Sequence, residues 1–358
     1  MKNVFSDKPD PSILIIKPSS LGDILHAFPA VKLIKETFPQ ARIDWLVNPS
    51  FAPILSYCDG VCDIIDFPRK ELASPSKFFP FMIQLLGRLR SKNYDMVIDL
   101  QGLFRSAFFA KAAKSKTTAG FKNPREAISK IFYDIKIAVP PEMVHAVEKN
   151  AFIVSELLGI EYRVPLLNLP EITEYSAPVN KNLNAFNIAQ NDICIGVIPG
   201  ARWESKKWPA SFFSEIINTV CEKNNRCKFI LSGAPSDISS AEKILAKTKS
   251  EKVFTMAGKT GTAELVELIR KCSAIVTNDS GPMHIAAALN IPVLAFFGPT
   301  LPEKTGPYGK NHVILKSNTD CIGCLKRYCP DKSYKCHNGI APADAVNRLL
   351  ELINHKDS

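Results

Sequence analysis

The sequence predicts an α/β protein made of two doubly wound parallel-sheet domains. Short β-branched runs alternate with segments of helical apolar spacing, the alternation occurs twice, and a proline-rich stretch separates the two series. Such alternation is typical of parallel sheets that helices cover on both faces. A chain of 358 residues also has the length of two domains.

The first series begins with a strand at 12–17 (SILIIK) and a helix at 23–38. Strands at 43–47 and 96–100 and helices at 77–91 and 145–158 follow. The stretch 162–179 contains three prolines and little periodicity, so we interpret it as the linker. The predicted domains are residues 1–175 and 176–358.

The second series has strands at 193–198, 228–232, 274–277 and 293–297, and helices at 210–222, 237–247, 262–271 and 282–289. A last helix, at 342–353, is expected to pack back on the first domain. Doubly wound domains bind ligands beyond the carboxyl ends of their strands. We therefore expect the two domains to face a cleft that holds the site.

The charge balance limits the classes of binding partner that we expect. A net charge of +10 indicates a polyanionic partner, which could be nucleic acid, an anionic membrane or a phosphorylated substrate. Between Arg105 and Lys130, seven basic residues and three phenylalanines accompany one acid, Glu126, a mixture that suits lipid headgroups as well as polynucleotide. No run of about 18 uncharged apolar residues occurs, and residues 1–10 lack a signal-peptide core, so we expect a cytoplasmic protein.

The loop after the first strand, KPSSLGDILH, carries a candidate general base. Asp23 lies at the start of a predicted helix, where the helix dipole stabilises the ionised carboxylate and leaves it able to accept a proton from a hydroxyl. The alternative is an ordinary helix-capping aspartate beside Ser19 and Ser20. His26, one turn further on, could orient substrate or form only local hydrogen bonds.

Two loops of the second series indicate an anion site. In TNDSGPMH, the helix start offers free backbone N–H groups, Gly281 allows a phosphate to approach closely, and Asp279 could accept hydrogen bonds from sugar hydroxyls. In PGARWESKKWP, Lys206 or Lys207 could neutralise the charge that builds on a diphosphate leaving group. Either lysine could equally be a plain surface residue.

Two glycine-containing motifs of nucleotide-binding enzymes are missing from the sequence. Gly258-Lys259-Thr260 lacks the upstream glycine of a P-loop, and no GxGxxG opens either first helix, so a P-loop enzyme and a nicotinamide-dependent dehydrogenase are unsupported. The Cys321, Cys324, Cys329 and Cys336 spacing, with His337 adjacent, is similar to that of zinc ligands. Reduced structural thiols or labile disulfides are the alternatives, and we expect no metal.

Taken together, these motifs resemble those of glycosyltransferase family 9, the bacterial heptosyltransferases, and are most similar to the members that add the first heptose. The resemblance spans most of the chain and rests on five ordered motifs: KPSSLGDILHAFPA, NYDMVIDLQGLFRSA, PGARWESKKWP, NDSGPMHIAAAL and FGPTLPEKTGPYG. The family has the GT-B fold, inverts the anomeric centre and needs no metal or other cofactor.

The resemblance implies roles for individual residues. Asp23 is the implied catalytic base. Implied donor-binding residues are Pro199, Gly200, Ala201, Lys206, Thr260, Asp279, Ser280, Gly281, Met283 and His284. Implied acceptor-binding residues are Ser19, Ser20, Gly22, His26, Gln101, Gly102, Arg105 and Ser106.

The implied reaction moves L-glycero-D-manno-heptose from ADP-heptose to the Kdo or heptose inner core of lipopolysaccharide, with Kdo-lipid A as the first acceptor. It would take place at the anionic inner face of the cytoplasmic membrane, and no nucleic acid is expected to bind. The alternatives are another nucleotide sugar or a later-core acceptor. A basic, non-catalytic anion-binding protein would explain the charge but not the paired strand-end loops.

Overall fold

The computed structural model of the chain describes residues 5, 8–67, 74, 76–189 and 191–354. The segment 1–10, for which we expect no signal peptide, therefore lies mostly outside the described residues. The chain divides into two compact units, the first ending at Leu167 and the second starting at Asn168. This division falls eight residues before the predicted boundary between 175 and 176.

Unit 1 is built on a six-stranded parallel sheet. Its strands are β1 (Ser12–Ile16), β2 (Arg42–Val47), β3 (Val61–Asp66), β4 (Tyr94–Asp99), β5 (Ser115–Phe121) and β6 (Ile135–Ile137). They are ordered β3-β2-β1-β4-β5-β6, so the chain reverses its direction of travel across the sheet between β3 and β4. Sequence patterning predicted β1, β2 and β4 and missed β3, β5 and β6.

The helices of unit 1 are α1 (Leu21–Leu25), α2 (Phe28–Thr37), α3 (Phe78–Arg90), α4 (Phe104–Ala112) and α5 (Ala146–Leu158). Short 3₁₀ helices span Pro49–Tyr57 and Ala127–Phe132. The single helix predicted at 23–38 is wrong, since the chain forms α1 and α2 with a break at His26 and Ala27. Pro29 lies in the first turn of α2, where its missing N–H costs no hydrogen bond but would interrupt a continuous helix.

Unit 2 repeats the same architecture. Its strands are β7 (Ile193–Ile198), β8 (Cys227–Leu231), β9 (Val253–Thr255), β10 (Ala274–Asn278), β11 (Val293–Phe297) and β12 (His312–Lys316). They are ordered β12-β11-β10-β7-β8-β9, all parallel. Its helices are α6 (Thr173–Ala185), α7 (Ala210–Lys223), α8 (Ile238–Leu245), α9 (Thr262–Arg270), α10 (Gly281–Ala288), α11 (Pro302–Thr305), α12 (Lys335–Asn338) and α13 (Pro342–Asn354). The predicted pair of doubly wound domains is confirmed.

The predicted linker is wrong over its second half. Residues 173–179 belong to α6, and Pro178 lies inside that helix rather than ending it. Val179 and Leu183 are buried, and Ile172 N donates to Glu267 Oε1 of α9 at 3.1 Å. Packing against α9 therefore stabilises a helix whose proline argued for a loop.

The last helix, α13, belongs to the core of unit 2. Ala345, Val346, Leu349 and Ile353 are buried in the same cluster as Phe213 of α7. The expectation that this helix also packs on the first domain stays a prediction. Its amphipathic pattern predicted a buried face but could not identify which sheet that face covers.

Candidate active site

Asp23 lies in the first turn of α1, directly beyond the carboxyl end of β1. Its Oδ2 accepts hydrogen bonds from Ser20 N at 2.8 Å and Ser20 Oγ at 2.9 Å. The capping role considered for Asp23 is therefore present, and it uses one carboxylate oxygen. Among the described residues, none donates a hydrogen bond to the other oxygen, Oδ1, and the side chain is half-buried.

The neighbours of Asp23 differ in exposure. Ser19 and Ser20 are half-buried, whereas Gly22 and His26 are buried. The His26 ring packs edge-to-face on His145, with ring centroids 5.3 Å apart, and the backbone oxygen of His26 accepts from Asn150 Nδ2 at 3.0 Å. These contacts favour the local, structural interpretation of His26.

A buried lysine, Lys17, directly follows β1 and was not singled out in the sequence. Its Nζ donates a hydrogen bond to the backbone oxygen of Leu100, the residue that follows β4. Burial lowers the pKa of Lys17, while the nearby carboxylates of Asp23 and Asp99 act to raise it. The position of a lysine at a strand end, in the KPSS motif, was the available signal.

Asp99 organises the loop that follows β4. Its Oδ1 accepts from Gln101 N at 2.8 Å and Gly102 N at 3.2 Å, and its Oδ2 lies 2.8 Å from Ser106 Oγ and 2.6 Å from Tyr133 Oη. Burial raises the pKa of Asp99, and the hydrogen bonds from these donors act to lower it. The buried carboxylate therefore fixes the loop and the first turn of α4, where these implied acceptor residues lie.

Within this loop and the first turn of α4, some implied acceptor residues are buried and support the backbone, whereas others are accessible to a ligand. Gly102 is buried with φ at +68°, a conformation that favours glycine, and its oxygen accepts from Glu126 N at 3.1 Å. Ser106 is buried against Asp99, so both residues shape the loop. Arg105 is exposed and is available to an acidic ligand, and Gln101 is half-buried.

We expect Tyr133→Phe to test this arrangement. Removing the hydroxyl that contacts Asp99 leaves a buried carboxylate with one fewer donor, which should lower the free energy of unfolding by about 1–3 kcal/mol. Urea unfolding measures that change. An unchanged stability would contradict the view that Asp99 organises the loop.

In unit 2, three strand-end loops converge on Asp279. Lys206 Nζ lies 2.6 Å from Asp279 Oδ2, and Thr300 Oγ1 donates to the same oxygen at 2.6 Å. The Asp279 side chain is 6% exposed and that of Lys206 is 17% exposed, so the pair is largely shielded from water. Lys206 also lies 4.9 Å from the ring centroid of Trp203. Thr300 was not singled out, although the FGPT motif contains it.

Asn278 ties two of these loops together. Its Nδ2 donates to Pro199 O at 2.7 Å, and its Oδ1 accepts from Trp208 N at 3.0 Å. The loop that carries Lys206 is thus fastened to the end of β10. Lys207, the alternative lysine, instead pairs with Glu204 at 2.8 Å on the surface. Of the two lysines, it is therefore Lys206 that contacts Asp279.

The start of α10 supplies the predicted helix N-terminus. Ser280 is its N-cap residue, Pro282 lies in its first turn, and Ser280 Oγ is 3.2 Å from Thr277 Oγ1. Gly281 is half-buried, whereas the Met283 side chain is fully buried and His284 is 8% exposed. Met283 can therefore contribute only its backbone to a ligand. The helix start itself suits an anion.

The remaining implied donor residues lie at the same edge of the sheet. Pro199 and Gly200 are buried, and a Cβ at Gly200 would overlap the Asp237 carboxylate unless that side chain moved. Ala201 is half-buried. Thr260 precedes α9, and no contact of it with Lys206 or Asp279 is found among the described residues. It follows β9, two strands away from β7.

The four-cysteine segment packs on the Lys206 loop. Ser205 Oγ donates to Lys326 O at 2.6 Å, and Ser205 N donates to Arg327 O at 3.1 Å. Gly323 N donates to Gly298 O at 3.0 Å, and the buried Cys336 also lies against Gly298. Burial, together with the neighbouring Cys321, Cys324 and Cys329, raises the pKa of Cys336 to about 11. The segment thus supports the loops that carry Lys206 and Gly298.

All four cysteines of the segment, Cys321, Cys324, Cys329 and Cys336, are free thiols. In the part of the chain that the structure describes, no three His, Cys, Asp or Glu side chains are grouped as ligands of a metal ion. Within the same residues, no helix is both long enough and apolar enough to cross a bilayer.

Comparison with known proteins gives a family match. The model of glycosyltransferase family 9 (heptosyltransferase) matches residues 82–335. The lipopolysaccharide heptosyltransferase 1 of Pseudomonas aeruginosa is 29% identical over 88% of this chain and 87% of its own length. The lipooligosaccharide heptosyltransferase 2 of Haemophilus ducreyi is 31% identical over 85% of this chain and 88% of its own length.

Solved structures share the fold. The E. coli heptosyltransferase WaaC with ADP superimposes with a TM-score of 0.77, at 23% identity, over 95% of this chain and 99% of that chain. A family 9 glycosyltransferase from Veillonella parvula gives a TM-score of 0.85, at 19% identity, over 96% and 98% of the two chains.

Proposed function

Because the chain belongs to glycosyltransferase family 9, the heptosyltransferases, we propose that it transfers heptose from ADP-heptose to the inner core of lipopolysaccharide. The observation that carries the proposal is the shielded Lys206–Asp279 pair beside the start of α10, which combines a cation, a hydroxyl-binding carboxylate and a helix N-terminus. These are the groups that a sugar diphosphate requires.

The donor end of the reaction follows from these groups. Lys206 and the N–H groups at the start of α10 would bind the diphosphate, whose negative charge grows as the bond between the anomeric carbon and the phosphate oxygen breaks. Lys206 and Thr300 both contact Oδ2 of Asp279, which leaves other lone pairs of the carboxylate unused. Through these lone pairs Asp279 would accept hydrogen bonds from heptose hydroxyls.

The acceptor end of the reaction follows from Asp23. Its Oδ1 would take the proton of the acceptor hydroxyl as the hydroxyl oxygen attacks the anomeric carbon. Direct displacement of the diphosphate inverts that centre, and ADP leaves with the electron pair of the broken bond. Arg105, exposed in the first turn of α4, would bind a carboxylate or phosphate of the acceptor.

Relatives named heptosyltransferase 1 and heptosyltransferase 2 match this chain to a similar degree. We propose Kdo-lipid A as the acceptor, at the anionic inner face of the cytoplasmic membrane. The second candidate is an acceptor that already carries one heptose, and the 29% identity over 97% of this chain with the heptosyltransferase 2 of E. coli favours it.

A transfer assay tests the proposal. Purified protein is incubated with ADP-heptose and Kdo-lipid A, or with heptosyl-Kdo-lipid A, and ADP release is followed with and without acceptor. ADP-glucose serves as the control donor. Release that needs ADP-heptose and Kdo-lipid A supports the first-heptose proposal, whereas release only with the heptosylated acceptor assigns the second. Release from ADP-glucose alone would overturn the choice of donor.

A further inference from the structure

Three helical segments of unit 1 expose pairs of large apolar side chains. The pairs are Phe79 and Ile83 on α3, Phe104 and Phe108 on α4, and Ile128 and Ile131 in the 3₁₀ helix Ala127–Phe132, and these side chains are between 37% and 71% exposed. Spacings of three or four residues place the members of each pair on one side of their helix. Each segment therefore has an apolar outer face.

The three segments are neighbours. The inner sides of α3 and α4 share one core cluster, since Leu85 and Leu89 pack with Phe109. The Phe104 ring packs edge-to-face on Phe132, with centroids 5.6 Å apart, which joins α4 to the 3₁₀ helix. The three exposed pairs thus form one region, which we name the three-helix surface.

Positive charges lie among the apolar side chains of this surface. Arg105 follows Phe104, and Lys130 lies between Ile128 and Ile131; both are exposed, and neither pairs with an acid among the described residues. Glu126, the nearest acid in sequence, accepts from Phe104 N at 2.6 Å. Lys111 and Lys116, also in the basic segment, pair with Asp134 and Asp95 instead.

We propose that the three-helix surface inserts into an anionic lipid bilayer and so brings the enzyme to its acceptor, an inference that rests on the proposed function. Apolar side chains enter the boundary between headgroups and acyl chains, while Arg105 and Lys130 contact anionic headgroups. The charge pattern disfavours a second copy as the occupant, because a two-fold contact through this surface would bring like charges together.

Flotation with vesicles tests the surface directly. Wild-type protein, Phe79→Ser/Ile83→Ser and Ile128→Ser/Ile131→Ser are mixed with phosphatidylethanolamine–phosphatidylglycerol vesicles or with pure phosphatidylcholine vesicles. We expect wild type to partition onto the anionic vesicles, more weakly at high salt, and each double variant to bind at least tenfold less. Leu166→Ser is the matched control, because Leu166 is 89% exposed in unit 1 outside these helices, and it should bind within twofold of wild type.

Circular dichroism establishes that the variants are folded, and transfer to a deacylated, water-soluble acceptor is measured in parallel. Wild-type vesicle binding by both double variants would overturn the proposal, as would a wild-type dimer that the substitutions dissociate. Loss of vesicle binding with normal transfer supports the surface and the function together. Loss of binding in proteins that show no transfer, wild type included, supports the surface and counts against the proposed function alone.

Discussion

Asp23→Asn should lower kcat by about two to four orders of magnitude, because the amide cannot accept the acceptor proton. Asparagine has nearly the same shape, and its side-chain oxygen can still accept the hydrogen bonds from Ser20 N and Ser20 Oγ. The fold of α1 should therefore persist. Steady-state kinetics with ADP-heptose measure the loss of kcat. Calorimetric titration with ADP checks that the folded variant still binds the nucleotide.

The control for Asp23 is Ser20→Ala. It removes the hydroxyl bond to the carboxylate and leaves the backbone bond, so it disturbs the cap without removing the base. Loss of a cap contact lowers stability by about 1 kcal/mol and should change kcat by less than about tenfold. If Asp23→Asn kept full activity, the general-base assignment would be wrong and the residue would be a helix cap only.

Lys206→Met should lower kcat/KM for the donor by about 10²–10³, because the variant loses the cation that compensates the leaving diphosphate. Donor affinity should fall as well, since the cation also binds the diphosphate before reaction. The substitution leaves Asp279 buried with Thr300 as its remaining partner, so a loss of thermal stability is expected alongside. Initial rates at varied ADP-heptose and a thermal melt separate the two effects.

Lys207→Met is the matched control for Lys206. The two lysines are adjacent, but Lys207 pairs with Glu204 on the surface, where an ion pair contributes little. We expect its kinetic constants to stay within about twofold of wild type. Equal losses in the two variants would show that the loop responds to net charge rather than to the cation held at Asp279.

Fold class and the principal strands of both units could be predicted because apolar runs and helical spacing are local signals. β3, β5 and β12 were missed for a physical reason: they are partly exposed strands with mixed polarity, as in the pattern of Val61–Asp66, and no buried apolar run marks them. α6 was missed because Pro178 is a local breaker, whereas the contact that stabilises the helix comes from α9, far away in sequence.

Some residues of the candidate site could likewise be predicted from the sequence, and others could not. Asp23, Lys206 and Asp279 could be predicted because they follow strands, and the end of a strand can be recognised in the sequence. Which lysine of the Lys206–Lys207 pair faces Asp279 depends on the path of the loop, and that path is set by Asn278 and by residues 323–337. The importance of Asp99 was also hidden, because its four donors come from the following loop, from the first turn of α4 and from Tyr133, 34 residues further along the chain.

The fastening of Ser205 to Lys326 and Arg327 has a consequence for the energetics of ligand recognition. A loop that already holds its ligand-facing geometry loses little conformational entropy when a ligand arrives, so more of its contact energy appears as affinity. The order of the Lys206 loop is established during folding, by a stretch of chain more than a hundred residues downstream. The cysteine-bearing segment thereby preorganises the phosphate contact that we propose for Lys206, without touching the phosphate itself.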